Sequence, residues 1–371
     1  MKVVVLGGAG DMGSRAARDL GRSPDVELLT IADLNLEKAK QVAASIGSKA
    51  RACAVDATKH RSLLEVMAGH DVAASAIGPF YLFEARVVRA AIEAGIPYVS
   101  ICDDYDAVQA VLELDPLARE RGVTVLTGVG WTPGLTNILA RKGANMLDTA
   151  REIHIAWAGA SADSEGFAVV LHTMHIFTGQ VPTFTGGQWK TVPAGSGRQL
   201  VTFPDPLGQV AVFHVGHPEP VTIPRFIPGL QEVSLRGGLT EPFLNWLAAV
   251  VARLGLTNTP GKKQTLGRLL KPLLPLLEKA GKPSRPVSGA HVEVRGEKDG
   301  HRARVRLAAA DRMMNLTGLP LSVATLMLGR REIGHPGVIA PEAEGGPDPD
   351  RFLEELAARG VVTHIGPVES L

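Results

Sequence analysis

The first 33 residues constrain this 371-residue chain more tightly than any other stretch. Lys2 to Leu6 is a short apolar run, followed at once by Gly8, Ala9, Gly10, Asp11, Met12 and Gly13. Ser14 to Leu20 reads as a helix, and Val26 to Ala32 as a second apolar strand that ends at Asp33. Strand, glycine turn, helix, strand and acid, at these spacings, form the Rossmann dinucleotide fingerprint in its proper setting. Each part has a task. Gly8 permits the tight turn, Gly10 removes a side chain where a pyrophosphate must approach, and Gly13 lets the helix sit close to the strand. The helix N-terminus then offers N–H groups and a partial positive charge to phosphates. The same glycine turn would also suit a Rossmann-like domain that has lost its ligand.

Asp33 bears on which nucleotide. A carboxylate at the end of the second strand accepts hydrogen bonds from the adenosine ribose hydroxyls and repels a 2′-phosphate. Leu34 and Asn35 follow, with no arginine, so NAD is favoured over NADP. Lys38 and Lys40 keep NADP open, although both also suit a solvated helix face.

Length favours two domains. Hydrophobic residues at 45% and charged residues at 21% suit an ordinary globular core. A formal net charge of +1 gives no reason to expect a nucleic-acid partner. Cys53 and Cys102 cannot make a disulfide framework, and neither has metal-ligand spacing, so no metal is expected. The sequence enters a strand directly, with no signal-peptide pattern and no bilayer-length apolar run; a soluble cytoplasmic protein is the expectation.

Strands and helices continue to alternate through the first part. Leu36 to Ile46, Arg61 to Ala68, Phe83 to Ala94 and Val108 to Arg121 read as helices. Ala50 to Val55, Val72 to Ile77, Tyr98 to Cys102 and Val123 to Thr127 read as strands. This pitch predicts an α/β doubly wound parallel sheet, whose ligands sit outside the carboxyl ends of the strands. After Gly130 the pattern changes. Thr132 is read as an N-cap with Pro133 at the first helical position. Arg151 to Trp157 reads as a strand, Phe167 to Thr178 as a helix, and Trp189 to Pro224 as short strands. Ala290 to Gly296 and His301 to Ala308 alternate around Lys298-Asp299-Gly300, an antiparallel hairpin. A second α+β domain with a mostly antiparallel sheet is therefore expected. Leu256 to Ser288 reads as a surface excursion or interface flap, its prolines arguing against a membrane-lying helix. Leu321 to Leu328 and Phe352 to Arg359 read as the last helices.

The carboxyl-edge rule selects candidate site residues. Asp103, Asp104 and Tyr105 follow the fifth strand; adjacent carboxylates there can hold an ammonium group or act as general base. The plainer reading is that Asp104 caps the next helix. Gly78, Pro79 and Phe80 follow the fourth strand and are candidates for cofactor contact, or simply a strand-to-helix turn. Asp56, after the third strand, is placed to meet an adenine or to cap a helix. Trp131 and Thr132 sit at the first crossing between domains and are candidates for a substrate wall. His172 and His175 share one helix face, His172 as a proton relay and His175 as a substrate contact, against a structural histidine in each case. Arg225 is a candidate carboxylate clamp, with a structural role the alternative.

Several of these pieces together resemble the saccharopine dehydrogenase-like oxidoreductases. They are Gly8 to Gly13, Ile77-Gly78-Pro79-Phe80, Ala91 to Gly95 leading into Tyr98, Gly130 to Asn137, and the ending Thr317 to Pro320 through Gly337 to Glu342. The resemblance implies a dinucleotide domain over residues 1–130, a substrate and dimerisation domain over 131–315, and a segment 316–371 that returns to the first domain. It also implies a homodimer, a small-molecule substrate, and hydride transfer at a carbon–nitrogen bond of an amino acid, opine or diamine. Two other readings stay open: a non-redox nucleotide-binding regulator, and a reductase of a C=C or C=O bond on an apolar substrate, for which Phe243 to Leu256 leaves room.

Overall fold

The computed structural model describes residues 1–163, 167–241, 243–246 and 286–371, with the single positions 250, 259, 261, 262 and 265. The chain divides into two units, Met1–Ile138 with Met314–Gly360, and Leu139–Met313 with Val361–Leu371.

The first unit's strands are β1 (Lys2–Leu6), β2 (Leu28–Asp33), β3 (Ala50–Ala54), β4 (Val72–Ser75), β5 (Tyr98–Ser100) and β6 (Thr124–Leu126), short apolar runs buried in all but β3 at the sheet's edge. Between them run α1 (Asp11–Arg22), α2 (Leu36–Ile46), α3 (His60–Met67), α4 (Phe80–Ala94), α5 (Tyr105–Leu112) and α6 (Asp115–Glu120). The strands pair in parallel in the order β3, β2, β1, β4, β5, β6, which reverses direction between β1 and β4. That reversal is the switch point at which such sheets open a ligand crevice.

A seventh strand, Gly337–Ile339, adds in parallel beside β6. Sequence reading did not find it, because three residues carry too little periodicity. The stretch read as one helix from Val108 is two, because Pro116 lies at the start of α6 and supplies no N–H to continue α5. The helix read from Leu321 runs from Met313 to Gly329, with Pro320 inside it. Buried neighbours on nearly every side, from Leu316 to Leu328, outweigh the hydrogen bond that the proline removes.

This late helix and the next, Pro349–Ala357, are tied to α1 by a polar cluster. Asp19 accepts from Ser322 Oγ (2.6 Å) and from Arg359 Nε (2.7 Å), and Arg359 also reaches Glu355 (2.6 Å). Replacing Arg359 by Met leaves Asp19 short of a charged donor. We expect a loss of about 1.5–3 kcal/mol in urea unfolding, the range for hydrogen bonds to charged groups.

The second unit has a mixed, mostly antiparallel sheet. Its centre is β7 (Thr149–Gly159), with the hairpin of Ser288–Lys298 and His301–Asp311 on one side and Glu232–Leu239, parallel to β7, on the other. The hairpin closes on Asp299 and Gly300, both at positive φ, as a two-residue turn between twisted strands requires. Ile153, Ile155, Val292, Val294, Val305 and Leu307 form its buried side. The opposite side carries a charged ladder: Glu293 accepts from Arg295 Nε (2.6 Å) and Arg306 Nε (2.7 Å), and His154 lies between Ser234 and Glu152.

Two other expectations change in this unit. The run of short strands stops at His214, and Glu219–Phe226 is a helix whose first turn tolerates Pro220, where no N–H partner is needed. Thr363–Ile365 and Glu369–Ser370 pair with the strand His301–Asp311, so the last residues of the expected returning segment belong to the second unit. The stretch from Leu256 to Ser288 lies almost wholly outside the described residues, as does much of Phe243 to Leu256. Among the described residues, no helix is long and apolar enough to cross a membrane.

Candidate active site

The glycine turn is a cradle built by exclusion. A Cβ on Gly13 would run into the Gly7 carbonyl oxygen, so the start of α1 packs on the turn without a side chain between them. A Cβ on Gly10 would meet only the Gly7 oxygen, at 3.5 Å, so its outer side is open. Gly10 N–H donates to Gly7 (3.2 Å), and Gly10 is the N-cap residue of α1. Asp11 lies in the first turn of α1 and is exposed; Met12 is half-buried. Asp33 closes the cradle from β2: Oδ2 accepts from Ala9 N–H (3.0 Å) and Oδ1 from Asn35 N–H (2.9 Å). An open glycine floor at a helix N-terminus beside a fixed carboxylate fits a dinucleotide.

Asp56 is engaged in a local turn. Its Oδ1 accepts from Thr58 N–H (3.0 Å) and Thr58 Oγ1 (2.6 Å), and these hydrogen bonds hold its carboxyl below the usual range.

Across the switch point, the loop after β4 brings in Gly78, Pro79 and Phe80; Pro79 is the N-cap residue of α4, and Phe80 is buried. Asp103 is half-buried and Asp104 fully buried. Asp104 stands at the N-cap position of α5 but makes no side-chain cap there. Its Oδ2 accepts instead from Tyr81 N–H (2.9 Å), in the first turn of α4, so it ties two loops at the carboxyl edge together. Tyr105 opens α5, half-buried, and burial pushes its phenol up, with Asp106 and Asp104 adding. Burial, then Glu84 and the two aspartates, raise the Cys102 thiol well above its ordinary value, which leaves it a poor nucleophile.

After β6 the chain turns through Trp131 and Thr132, both buried. The helix there starts at Leu135, later than the expected start at Pro133, so Thr132 stands three residues before it rather than next to it. Gly130 N–H instead donates to Pro133 O (2.8 Å), and Leu135 N–H to Gly130 O (2.9 Å). Asn137 holds this turn, accepting from Gly134 N–H (2.9 Å) and donating to Glu342 Oε2 (2.8 Å). Asn137 and Glu342 are fully buried, 205 residues apart in sequence.

The remaining candidates lie in the second unit. His172 and His175, on the helix Phe167–Ile176, are half-buried. His172 packs edge-on against His217 (centroids 5.2 Å apart), which also meets Trp157 (5.7 Å). His217 Nδ1 lies 3.6 Å from Glu219, and both are buried. Arg225 is exposed in the last turn of its helix. His214 is pushed down to about 4 by burial and by Arg236, so it is neutral and accepts from Arg236 Nη2 (3.2 Å).

Sequence reading missed Glu84, Glu219, Glu342 and Trp157. Glu84 carried a weak signal: an acid four residues from Phe80 and from Val88, on an otherwise apolar helix face.

Residues 3–126 match the family described as Saccharopine dehydrogenase NADP binding domain. Over those residues the chain is similar to the saccharopine dehydrogenases. A carboxyaminopropylagmatine dehydrogenase of Synechocystis sp. is 22% identical across 98% of this chain and 97% of that protein. The saccharopine dehydrogenase [NADP(+), L-glutamate-forming] of Saccharomyces cerevisiae is 32% identical over 42% of this chain and 32% of its own length. In solved form, apo histidine-tagged saccharopine dehydrogenase (L-Glu forming) from Saccharomyces cerevisiae superimposes with a TM-score of 0.68 over 99% of this chain and 100% of that one. Its 18% identity makes this a likeness of fold. The matched residues are a pyridine-nucleotide domain, and these relatives are named as dehydrogenases.

Proposed function

We propose that this protein is an NAD-dependent dehydrogenase acting on a carbon–nitrogen bond of an amino acid, opine or diamine. The observation that carries the reading is the open Gly10 floor closed by Asp33, in a chain matched end to end by a carboxyaminopropylagmatine dehydrogenase. When bound, the nicotinamide ring exchanges the hydride. This chain's own residues do the rest. Gly10 admits the pyrophosphate, and the N-terminus of α1 faces its charge. Asp33 accepts from the ribose hydroxyls while it holds Ala9 and Asn35. Gly78, Pro79 and Phe80 border the ring. Asp103 holds the substrate ammonium group or takes its proton, while Asp104 is committed to Tyr81 N–H and fixes the loop. Trp131 supplies an apolar wall.

The test is the absorbance of reduced nicotinamide with a panel of amino acids, opines and diamines, in both directions. Turnover with an amine-bearing substrate, lowered at least about tenfold by Asp103→Asn, is the expected result; proton transfer by a positioned group contributes ~10²–10⁴-fold. Turnover confined to apolar enones or ketones would overturn the carbon–nitrogen assignment. Binding of nucleotide without turnover of any panel member would point to a regulator.

A further inference from the structure

Glu84 is an acid in a place where packing asks for none. It lies in the second turn of α4 on the face that buries Phe80, Val87, Val88 and Ala91, and is 1% exposed. A buried carboxyl group is tolerated only when its oxygens are hydrogen-bonded. Here the Tyr98 hydroxyl reaches both oxygens at 3.1 Å, and Ser100 Oγ donates to Oε1 at 2.5 Å. Both donors stand on β5, which runs directly into Cys102, Asp103 and Asp104. The first turn of α4 is bound to the same loop through Tyr81 N–H and Asp104. The start of α4, β5 and the loop after it are therefore one hydrogen-bonded body carrying three carboxyl groups at the sheet's carboxyl edge.

Among the described residues, the titratable groups that act on Glu84 include Tyr98, Cys102, Asp103 and Asp104, each neutral when protonated and negative when ionised. Burial raises the Glu84 carboxyl to about 7; Asp103 and Asp104 add to this, and the hydrogen bonds from Ser100 and Tyr98 oppose it. At neutral pH a new positive charge at this edge shifts the balance toward the ionised form. The strand order supplies a candidate. Asp33, at the end of β2, marks the adenosine side of β1, and β4 and β5 lie on the other side of the switch point. That side receives the nicotinamide half of a dinucleotide. The oxidised ring carries a positive charge and the reduced ring carries none.

We propose that Glu84 is a positioning residue that ties the redox state of the coenzyme to a proton, releasing it to solvent when the oxidised ring is bound and keeping it when the reduced ring is bound. The inference rests on the nucleotide reading above. Linkage is reciprocal, so affinity for the oxidised coenzyme rises with pH through neutrality, by at most about tenfold per pH unit for one proton. Affinity for the reduced coenzyme does not.

Calorimetry of NAD⁺ and NADH binding near pH 7, each in two buffers of different ionisation enthalpy, counts the protons. The expected result is release of a substantial fraction of a proton with NAD⁺, clearly less with NADH, and no difference between the two in Glu84→Gln. Ser100→Ala provides a second variant, which removes a hydrogen bond that favours the ionised form. It should move the linked proton release to higher pH. Equal proton counts for the two forms in the wild-type protein, or undiminished release in Glu84→Gln with release unmoved in Ser100→Ala, overturns the proposal while leaving the nucleotide reading intact. Absence of binding heat from either form overturns both.

Discussion

Gly13→Ala should weaken nucleotide binding and lower stability, whereas Gly10→Ala should keep the stability and lose only affinity. The two substitutions add the same methyl group three residues apart. At Gly13 the new carbon collides with the Gly7 carbonyl oxygen and lies 3.0 Å from the Gly7 carbonyl carbon and the Gly8 Cα. All of these are backbone atoms, which no rotamer change can move. Either α1 withdraws from the turn or the turn deforms, and forced overpacking of this kind costs about 1–3 kcal/mol. The N–H groups at the start of α1 then lose their aim. At Gly10 the new carbon touches the Gly7 oxygen at an ordinary 3.5 Å and otherwise points away from the protein. The fold has no objection, but the methyl occupies the space through which a diphosphate must approach. Thermal melting should therefore separate the pair, and titration with NAD should not: both should bind at least about tenfold more weakly, which is ~1.4 kcal/mol. Equal melting temperatures for Gly13→Ala and wild type would mean that the close approach of α1 to the turn is not required.

What could be read from the sequence was what neighbours in sequence decide. The glycine turn, the acid after β2 and the alternation of strand and helix each depend on a few consecutive residues, and all are found in the parallel sheet. The hairpin around Asp299 and Gly300 was legible for the same reason, since its turn chemistry is local. Features held by distant partners were not. The strand Gly337–Ile339 is defined by β6, the helix around Pro320 by burial on nearly all sides, and the turn at residues 130–134 by Asn137 and Glu342. The candidate site divides in the same way. Gly8, Gly10, Gly13 and Asp33 could be named because the motif fixes their spacing. Glu84 could not, because its meaning depends on Tyr98 and Ser100 from another strand. Asp104 was the intermediate case. Its place at a helix start was legible, but its actual partner, the Tyr81 N–H, lies 23 residues away.

Asp33 should decide between the two coenzymes, and its hydrogen bonds determine how the experiment must be built. A 2′-phosphate placed near this carboxylate meets a like charge; two unit charges 4 Å apart repel by roughly 4 kcal/mol at an effective dielectric constant of 20. Wild-type protein should accordingly bind NAD at least about tenfold more tightly than NADP, although the matched family is described by NADP binding. Asp33→Arg should reverse that order, since a guanidinium group pairs with a phosphate through parallel hydrogen bonds. Yet Asp33 also accepts from Ala9 and Asn35, so arginine leaves two backbone donors without this acceptor. Affinity for NAD should then fall through the damaged turn as well as through the lost ribose contact, and the change in preference must be read as a ratio. Asp33→Asn separates the two effects. It keeps one carbonyl oxygen for a backbone donor and removes the charge, so NADP should gain relative to NAD without a full reversal. A graded series, from aspartate through asparagine to arginine, is the expected outcome of titrating each variant with both coenzymes. If asparagine and arginine leave the ratio where aspartate sets it, Asp33 supports the glycine turn alone, and discrimination between the coenzymes lies elsewhere in the chain.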